Sequence, residues 1–533
     1  MKYPRAIIPF ISVTALIMLG SGVYLNSLAG SFVASDDSLI SGDPAIKSWS
    51  GIPAAFSRGA HHPLRTVTFM ADYSVWGLNP AGYHLTNILL HISAALALYW
   101  FISLLVPGRP IPFVISALFM THPVQAGSVA YVSGRSGPLS ALFAILCFIF
   151  YIKYVRSGRK EYIIPASCAF ILSLLSCENA IVLPALLIVY NYLFDERPGI
   201  GLTAVFTATA IAYALLRMEP AKGPISDISM ASAKALLSGV PGFFAALAGY
   251  CKLLILPASS RVDYGNKIFN LADPAVLAGA AIFIVLLYAV FRVRKFAPPA
   301  AFAISWFLIA LVPVSGINTA GAFMAESRLY FPSIGFFLAC GIFLRSPGAN
   351  VYLRVAVAIA VVALIWRYSY VTVKKNMNWR DPVVYYASAL RSAPDSVKAR
   401  NDMATAYEKA GMYDEASGIY NGMLKQDPEH PDIYVNLAAV QIIKGNTKEA
   451  IVLCGKALSL DADNAAAYNN LAVAYYVEGE YETAIHYCDL AVKCGYNVKQ
   501  QLLDLLRPYR EIEDQDTEEK LQLQTEEEIA RAD

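Results

Sequence analysis

The first 370 residues read as one apolar run after another, each broken by a short polar interval. The runs occupy residues 7–28, 84–106, 111–130, 139–154, 162–176, 180–194, 202–216, 231–256, 272–291, 298–314, 330–343 and 351–370. A helix needs about 20 apolar residues to cross a bilayer core. This pattern therefore predicts an all-α, polytopic membrane domain over residues 1–373, with an outer loop at 32–83. Small residues at 27–35 give the first run some character of a cleaved leader, but an anchor fits it better. Many spans follow it, and the acidic loop behind it needs a tether on its N-terminal side. Beyond Lys374 charges become frequent and no run is long enough to span.

The polar part repeats with a period of 34. Ala404, Ala438 and Ala472 keep that interval, as do Gly411, Gly445 and Gly479, and Ala416, Ala450 and Ala484. Small residues recur where two antiparallel helices approach closely, and the glycines mark the turn after the first helix of each pair. This is the tetratricopeptide pattern, with repeats at 397–430, 431–464 and 465–498. A half repeat at 381–394 precedes them, a capping helix is expected at 501–509, and the array closes near 510. Residues 511–533 form an acidic tail, read as a solvated helix or a disordered segment. A stacked α-solenoid builds a concave groove for a protein or peptide partner.

Composition narrows the class. With 533 residues, 56% hydrophobic and 15% charged, the chain is too apolar for a soluble protein. A net charge of +2 offers nothing to nucleic acid. The eight cysteines show no CxxC spacing, so neither a disulfide framework nor a local structural zinc motif is indicated. Cys454 and Cys488 share one repeat position and read as core fillers.

Lysine and arginine set the orientation. Lys2 and Arg5 place the N-terminus in the cytoplasm; Lys153, Arg156, Arg159 and Lys160 mark a second cytoplasmic loop, and Arg292, Arg294 and Lys295 a third. Four runs separate the first two clusters but five separate the second and third, which is the wrong parity. One run must be re-entrant, interfacial or split into two short helices. The segment 231–256, with Gly239, Pro241, Gly242 and Gly249, is the expected one. The loop 32–83 and the repeats then lie outside the cytoplasm, in a bacterial inner membrane or an ER-like membrane. Lys374 and Lys375 run against that placement.

The chemistry-bearing residues cluster near the ends of the runs. Asp36 and Asp37 follow the first run, and no Asp, Glu, Lys or Arg occurs between Arg5 and Asp36. Residues 72–83, with Tyr73, Trp76 and Tyr83, read as an interfacial amphipathic helix. Other readings compete with chemistry. The acid pair serves equally as a helix cap, Arg65 and Arg135 as interfacial anchors, and His84 with His91 as a polar packing stripe.

Several short motifs, in order, resemble those of the transmembrane and tetratricopeptide-repeat O-mannosyltransferases and their bacterial relatives. They are Phe32–Asp37, His62–Pro63–Leu64–Arg65, Tyr73–His84 with Asn87 and His91, His122–Pro123, Gly134–Arg135, Ser176–Cys177–Glu178, Asp263–Tyr264 and Glu326–Ser333. The resemblance covers nearly the whole chain. It implies a GT-C-like glycosyltransferase that takes a sugar, mannose by analogy, from a polyprenyl-phosphate carrier and gives it to a protein or glycan hydroxyl. Asp37 or Asp36 would be the general base, with Asp37 favoured. Arg65, Arg135 and Arg328 would neutralise the departing phosphate, and His84, Glu178 and Glu326 would orient the sugar or the arginines. A divalent cation, Mg or Mn, held by Asp36 and Asp37 stays open; no other cofactor is implied.

The chain departs from that pattern at four positions. Gly127 and Gly137 stand where acidic residues are expected, His62 where an arginine is, and Cys177 where a lysine is. Two other functions remain open: a non-catalytic membrane scaffold working through its repeats, and a polymerase or flippase for lipid-linked glycans.

Overall fold

The computed structural model describes residues 7–57, 62–106, 110–195, 200–217, 225–257, 269–314, 324–344, 350–392, 394 and 396–511. Among them every regular element is helical. The chain forms two compact units, Met1–Ser392 and Ala393–Asp533. The motif Asp263–Tyr264, the charges Lys2 and Arg5, and the acidic tail beyond 511 lie outside the described residues.

In the first unit the α-helices are α1 (Ile7–Tyr24), α2 (Ile52–Ala55), α3 (Pro63–Trp76), α4 (Pro80–Leu105), α5 (Pro110–Thr121), α6 (Ala126–Val129), α7 (Ser136–Ser157) and α8 (Ile163–Ser176). They continue as α9 (Leu183–Phe194), α10 (Ile200–Arg217), α11 (Ile225–Ile255), α12 (Pro274–Val293), α13 (Pro298–Leu311), α14 (Pro332–Phe343), α15 (Val351–Asn376) and α16 (Pro382–Ser392). Among the described residues six helical stretches are long and apolar enough to cross a membrane: Phe10–Ala29, Pro80–Leu105, Val132–Ser157, Ile200–Arg217, Pro274–Val293 and Val351–Trp379. The protein is a membrane protein on that ground.

The other apolar runs make shorter helices than the sequence suggests. The 12 residues of α5 rise about 18 Å against a hydrocarbon core of about 30 Å. The run expected at 111–130 breaks at His122, whose Nδ1 accepts from Val124 N at 3.2 Å and starts a 3-10 turn. The amphipathic helix expected at 72–83 is two helices. α3 stops at Trp76 before Gly77 (φ 58°), and Asn79 caps α4 by accepting from Ala81 N at 3.1 Å. The segment 231–256 is part of one continuous 31-residue helix with Pro241 inside it, so of the three forms expected for it the split into two short helices is not the one taken.

A shared apolar core ties the long and short helices together. Phe101 of α4, Phe148 of α7 and Phe302 and Trp306 of α13 stack with ring centroids 5.1–6.5 Å apart. The Trp306 indole N–H donates to Phe331 O at 3.1 Å, so its one polar atom is satisfied in the core. α11 and α12 cross so closely that a Cβ on Gly279 would sit 1.8 Å from Phe244 O. Only glycine fits there.

In the second unit α17 (Val397–Lys409) pairs with α18 (Tyr413–Gln426), α19 (Pro431–Ile443) with α20 (Thr447–Leu460), and α21 (Ala465–Glu478) with α22 (Tyr481–Lys493). The alanines at 404, 438, 472, 416, 450 and 484 are fully buried in the helix crossings. Gly411, Gly445 and Gly479 take φ of 75°, 83° and 83° in the turns, a region closed to most side chains. Cys454 and Cys488 fill the core between helices. A final helix over 500–511 covers the array with buried Leu502 and Leu506. Helix α16, sequence-wise a half repeat, groups with the first unit.

Candidate functional site

The site is built where helices stop. α5 ends at Thr121, α8 at Ser176 and α15 at Asn376, and the stretch 122–135 that follows α5 is made of short helical turns, α6 among them. Polar bonds hold that stretch. The Asn87 amide N–H group donates to the carbonyls of Val129, Tyr131 and Val132 at 3.0–3.2 Å. His122 Nε2 meets Leu254 O at 3.1 Å, tying the stretch to α11. The first and last membrane helices exit side by side: Asn376 donates to Val23 O at 3.0 Å, and Asn26 donates to Val373 O at 2.8 Å.

The acid pair sits just past that exit. Val33 N donates to Asp36 Oδ2 at 3.0 Å while Asp36 N returns to Val33 O, closing a turn that holds Ala34 at φ 51°. Ser133 N donates to Asp36 Oδ1 at 2.8 Å and its hydroxyl to the same oxygen. Asp36 is completely buried, and burial pushes its carboxyl up to about 6 despite these donors. Asp37 is half-buried and opens a π-helical turn, Asp37–Ser41, a form common at functional sites. The two neighbours thus divide the labour: Asp36 fixes the loop and Asp37 faces outward. With both of its oxygens engaged, Asp36 makes a poor metal ligand, so this pair does not fit a shared Mg or Mn.

The two arginines also differ. Arg135 is fully buried and its donors are spent inside the protein: Nε to Asn87 Oδ1 at 2.6 Å, Nη1 to Thr68 Oγ1 at 3.2 Å and Nη2 to Tyr83 O at 2.9 Å. It also pairs with Asp72 at 2.5 Å. These contacts give it a structural role beside the phosphate-clamp role expected of it. Arg65, on α3, is almost as buried, but among the described residues it has only a long bond from Nη1 to Ser136 Oγ at 3.5 Å, and its Nε lacks an acceptor there. Burial draws its pKa down, while Tyr131, Cys177, Glu178 and Asp36 hold it up. Both guanidinium groups lie over the Phe69 ring, Arg135 at 4.6 Å and Arg65 at 5.9 Å. Asp36, Arg65, Arg135 and Glu178 therefore share one neighbourhood.

Glu178 pairs with His62 Nδ1 at 3.3 Å, beside Cys177, whose thiol burial pushes up to about 12. Glu326 ion-pairs with Lys375, both nearly buried. Sequence reasoning missed Lys375, reading it as a charge at a span end. The available signal was its helical spacing from Tyr368 and Thr372, which are also buried on α15. Arg328, half-buried, lies beside Tyr250. His84 is buried with its ring against Gly30, where a Cβ would lie 2.8 Å from Nε2, and neither ring nitrogen has a hydrogen-bond partner among the described residues. His91 is a packing residue: Nδ1 meets Tyr330 Oη at 2.7 Å and Nε2 meets Met120 O at 3.1 Å. At the departures, a Cβ on Gly127 would touch Trp379 at 3.7 Å, and one on Gly137 would press on Tyr330 at 3.4 Å.

Comparisons with known proteins accord with this architecture. A tetratricopeptide-repeat family model matches residues 383–439 and 441–503. A protein O-mannosyl-transferase of Caenorhabditis elegans is 25% identical over 444 residues, covering 78% of this chain and 62% of that protein. Human protein O-mannosyl-transferase TMTC1 is 23% identical over 78% of this chain and 55% of its own, and human TMTC3 21% over 82% and 54%. Over most of its length the chain is similar to proteins named as O-mannosyl-transferases. It spans little more than half the length of these curated relatives.

Proposed function

We propose that this chain is a GT-C-like membrane glycosyltransferase. It moves a hexose, mannose by the name its relatives carry, from a polyprenyl-phosphate donor to a hydroxyl of a protein or glycan on the extracytoplasmic side. One observation carries the reading: Arg65, whose Nε has no acceptor among the described residues, lies within electrostatic reach of Asp36 of the acid pair, which follows the first membrane helix. As the sugar leaves, charge grows on the lipid phosphate, and Arg65, with a donor to spare, neutralises it. Asp37, reachable from outside, accepts the proton of the attacking hydroxyl. Asp36 and Arg135 hold the loop and the stretch 122–135 that position these two. Because α1 and α15 leave the bundle together, the segment after α15 begins on the same face as the acid pair.

The test uses purified full-length protein in nanodiscs with labelled polyprenyl-phosphate sugars. Asp37→Asn should cut transfer about 10²- to 10⁴-fold while donor binding persists. A chain that binds its protein partners yet transfers nothing, with or without Asp37, is a scaffold. One that moves glycolipid across the membrane without consuming it is a flippase. Either result overturns the proposal.

A further inference from the structure

α3 and α8 pack together and bring into contact two loop residues more than a hundred positions apart. Cys177 ends α8 in an extended conformation (φ −161°, ψ 136°), and its thiol and the Glu178 carboxylate both lie close to His62 at the start of α3. There His62 precedes Pro63 in a left-handed conformation, φ 56° and ψ 61°. A residue before proline prefers extended backbone, and a non-glycine residue at positive φ is uncommon. His62 is therefore strained on two counts, by roughly 1–3 kcal/mol for such sites in general, and the strain aims its imidazole at Glu178, 3.3 Å away. One nitrogen of His62, Sγ of Cys177 and one oxygen of Glu178 all lie within 4.8 Å of one another.

We propose that His62, Cys177 and Glu178 bind one divalent transition-metal ion of the zinc class, with a fourth position open to an anionic oxygen. The donor set decides the metal. Imidazole, thiolate and carboxylate suit zinc, whereas magnesium and calcium take oxygen alone. Zinc bonds of about 2.0–2.3 Å require ligand atoms roughly 3.3–3.8 Å apart in a tetrahedron. The His–Glu pair already meets that spacing, and the remaining separation closes with a change of side-chain rotamer by about 1 Å. Three protein ligands leave a coordination position free, the arrangement of zinc sites that bind exchangeable water or substrate. With the thiolate and carboxylate neutralising the ion, the remaining positive charge is that of Arg65, which is electrostatically coupled to both Cys177 and Glu178. The open position and the guanidinium together offer two fixed attachments for one phosphate-type oxyanion. That this oxyanion is the donor phosphate rests on the transferase reading; the metal site does not.

Elemental analysis of the full-length protein in nanodiscs, after exhaustive dialysis against metal-free buffer and reloading with Zn²⁺, should find one ion per chain. Loading with Co²⁺ instead should produce a near-ultraviolet thiolate-to-metal charge-transfer band. Cys177→Ser should abolish that band, and Glu178→Gln should weaken Co²⁺ affinity roughly 100-fold. Cys168→Ser, at an exposed thiol, should change neither, and intact gel-filtration profiles keep folding out of the comparison. A charge-transfer band that survives in Cys177→Ser, or wild-type protein that takes up no more Zn²⁺ than Cys177→Ser, overturns the proposal. Asp37→Asn provides the separation: lost transfer with unchanged metal content leaves both readings standing, and normal transfer with unchanged metal content removes only the transferase mechanism.

Discussion

Replacing Arg135 by glutamine separates a structural pillar from a phosphate clamp. The side chain is wholly buried and its partner Asp72 nearly so, with 2.5 Å between Nη2 and Oδ2. Asp72 keeps one other bond, from Thr86 Oγ1 at 2.6 Å, so removing the guanidinium leaves a buried carboxylate with half its support. Breaking one side of such a pair costs about 3–5 kcal/mol, because the survivor is an uncompensated charge. The carbonyl of Tyr83 and the amide oxygen of Asn87 lose their donors as well, adding about 1–3 kcal/mol each where glutamine cannot reach. Asp72→Asn should be destabilising for the mirror reason, leaving Arg135 charged and buried. The double variant carries no net charge there and should recover part of the loss, giving a coupling of at least about 1 kcal/mol.

The assay is thermal unfolding in detergent, followed with a thiol-reactive dye. Cys147 is buried in the core and reacts only when the membrane unit opens. If Arg135→Gln melts with the wild type while donor KM rises, Arg135 binds substrate and the pillar assignment is refuted. The same holds if the double variant is merely the sum of the singles.

Three further outcomes follow from the same geometry. Arg65→Gln should leave unfolding unchanged or slightly delayed, since a buried guanidinium with an unpartnered Nε contributes little to stability, yet donor KM should rise about 10- to 100-fold from the loss of a charge-assisted bond of about 1.5–3 kcal/mol; a melting loss with unchanged KM contradicts this. Asp36 binds its proton more tightly when folded, with a carboxyl near 6 against 3.8, so its stabilisation is full below about pH 4 and is lost as pH rises through about 6. That group alone should lower stability by about 3 kcal/mol across the window, and Asp36→Asn should flatten the profile there; a slope identical to wild type in chemical denaturation at stepped pH would count against it. Lys375→Met and Glu326→Leu should each destabilise by about 3–5 kcal/mol, and their combination by much less, because the double variant buries no lone charge; additive losses in the same melting assay would show that the two do not act as a pair.

What the sequence disclosed, and what it withheld, follows from how each feature is encoded. Apolar runs and the 34-residue interval are local and periodic, so the helices of the membrane unit and the buried alanines at 404, 438 and 472 could be read directly. Where a helix stops inside an apolar run is a different matter: α5 ends because His122 can cap a turn and bond Leu254, a partner far along the chain. Charge pairing is also non-local, which is why the sequence did not show that Asp72, Asn87 and Tyr83 engage the donors of Arg135. The residues His62 and Cys177 looked like two unrelated departures from the pattern of their relatives, yet they meet at Glu178. Lys375 was the one oversight with a local remedy. Tyr368, Thr372, Lys375 and Asn376 form a buried stripe at helical spacing on an otherwise exposed apolar helix. A polar stripe at the end of a membrane span costs too much to face lipid, so it implies protein on that side. By that logic the last helix had to close against the loops of the membrane unit rather than stand apart as a bare anchor.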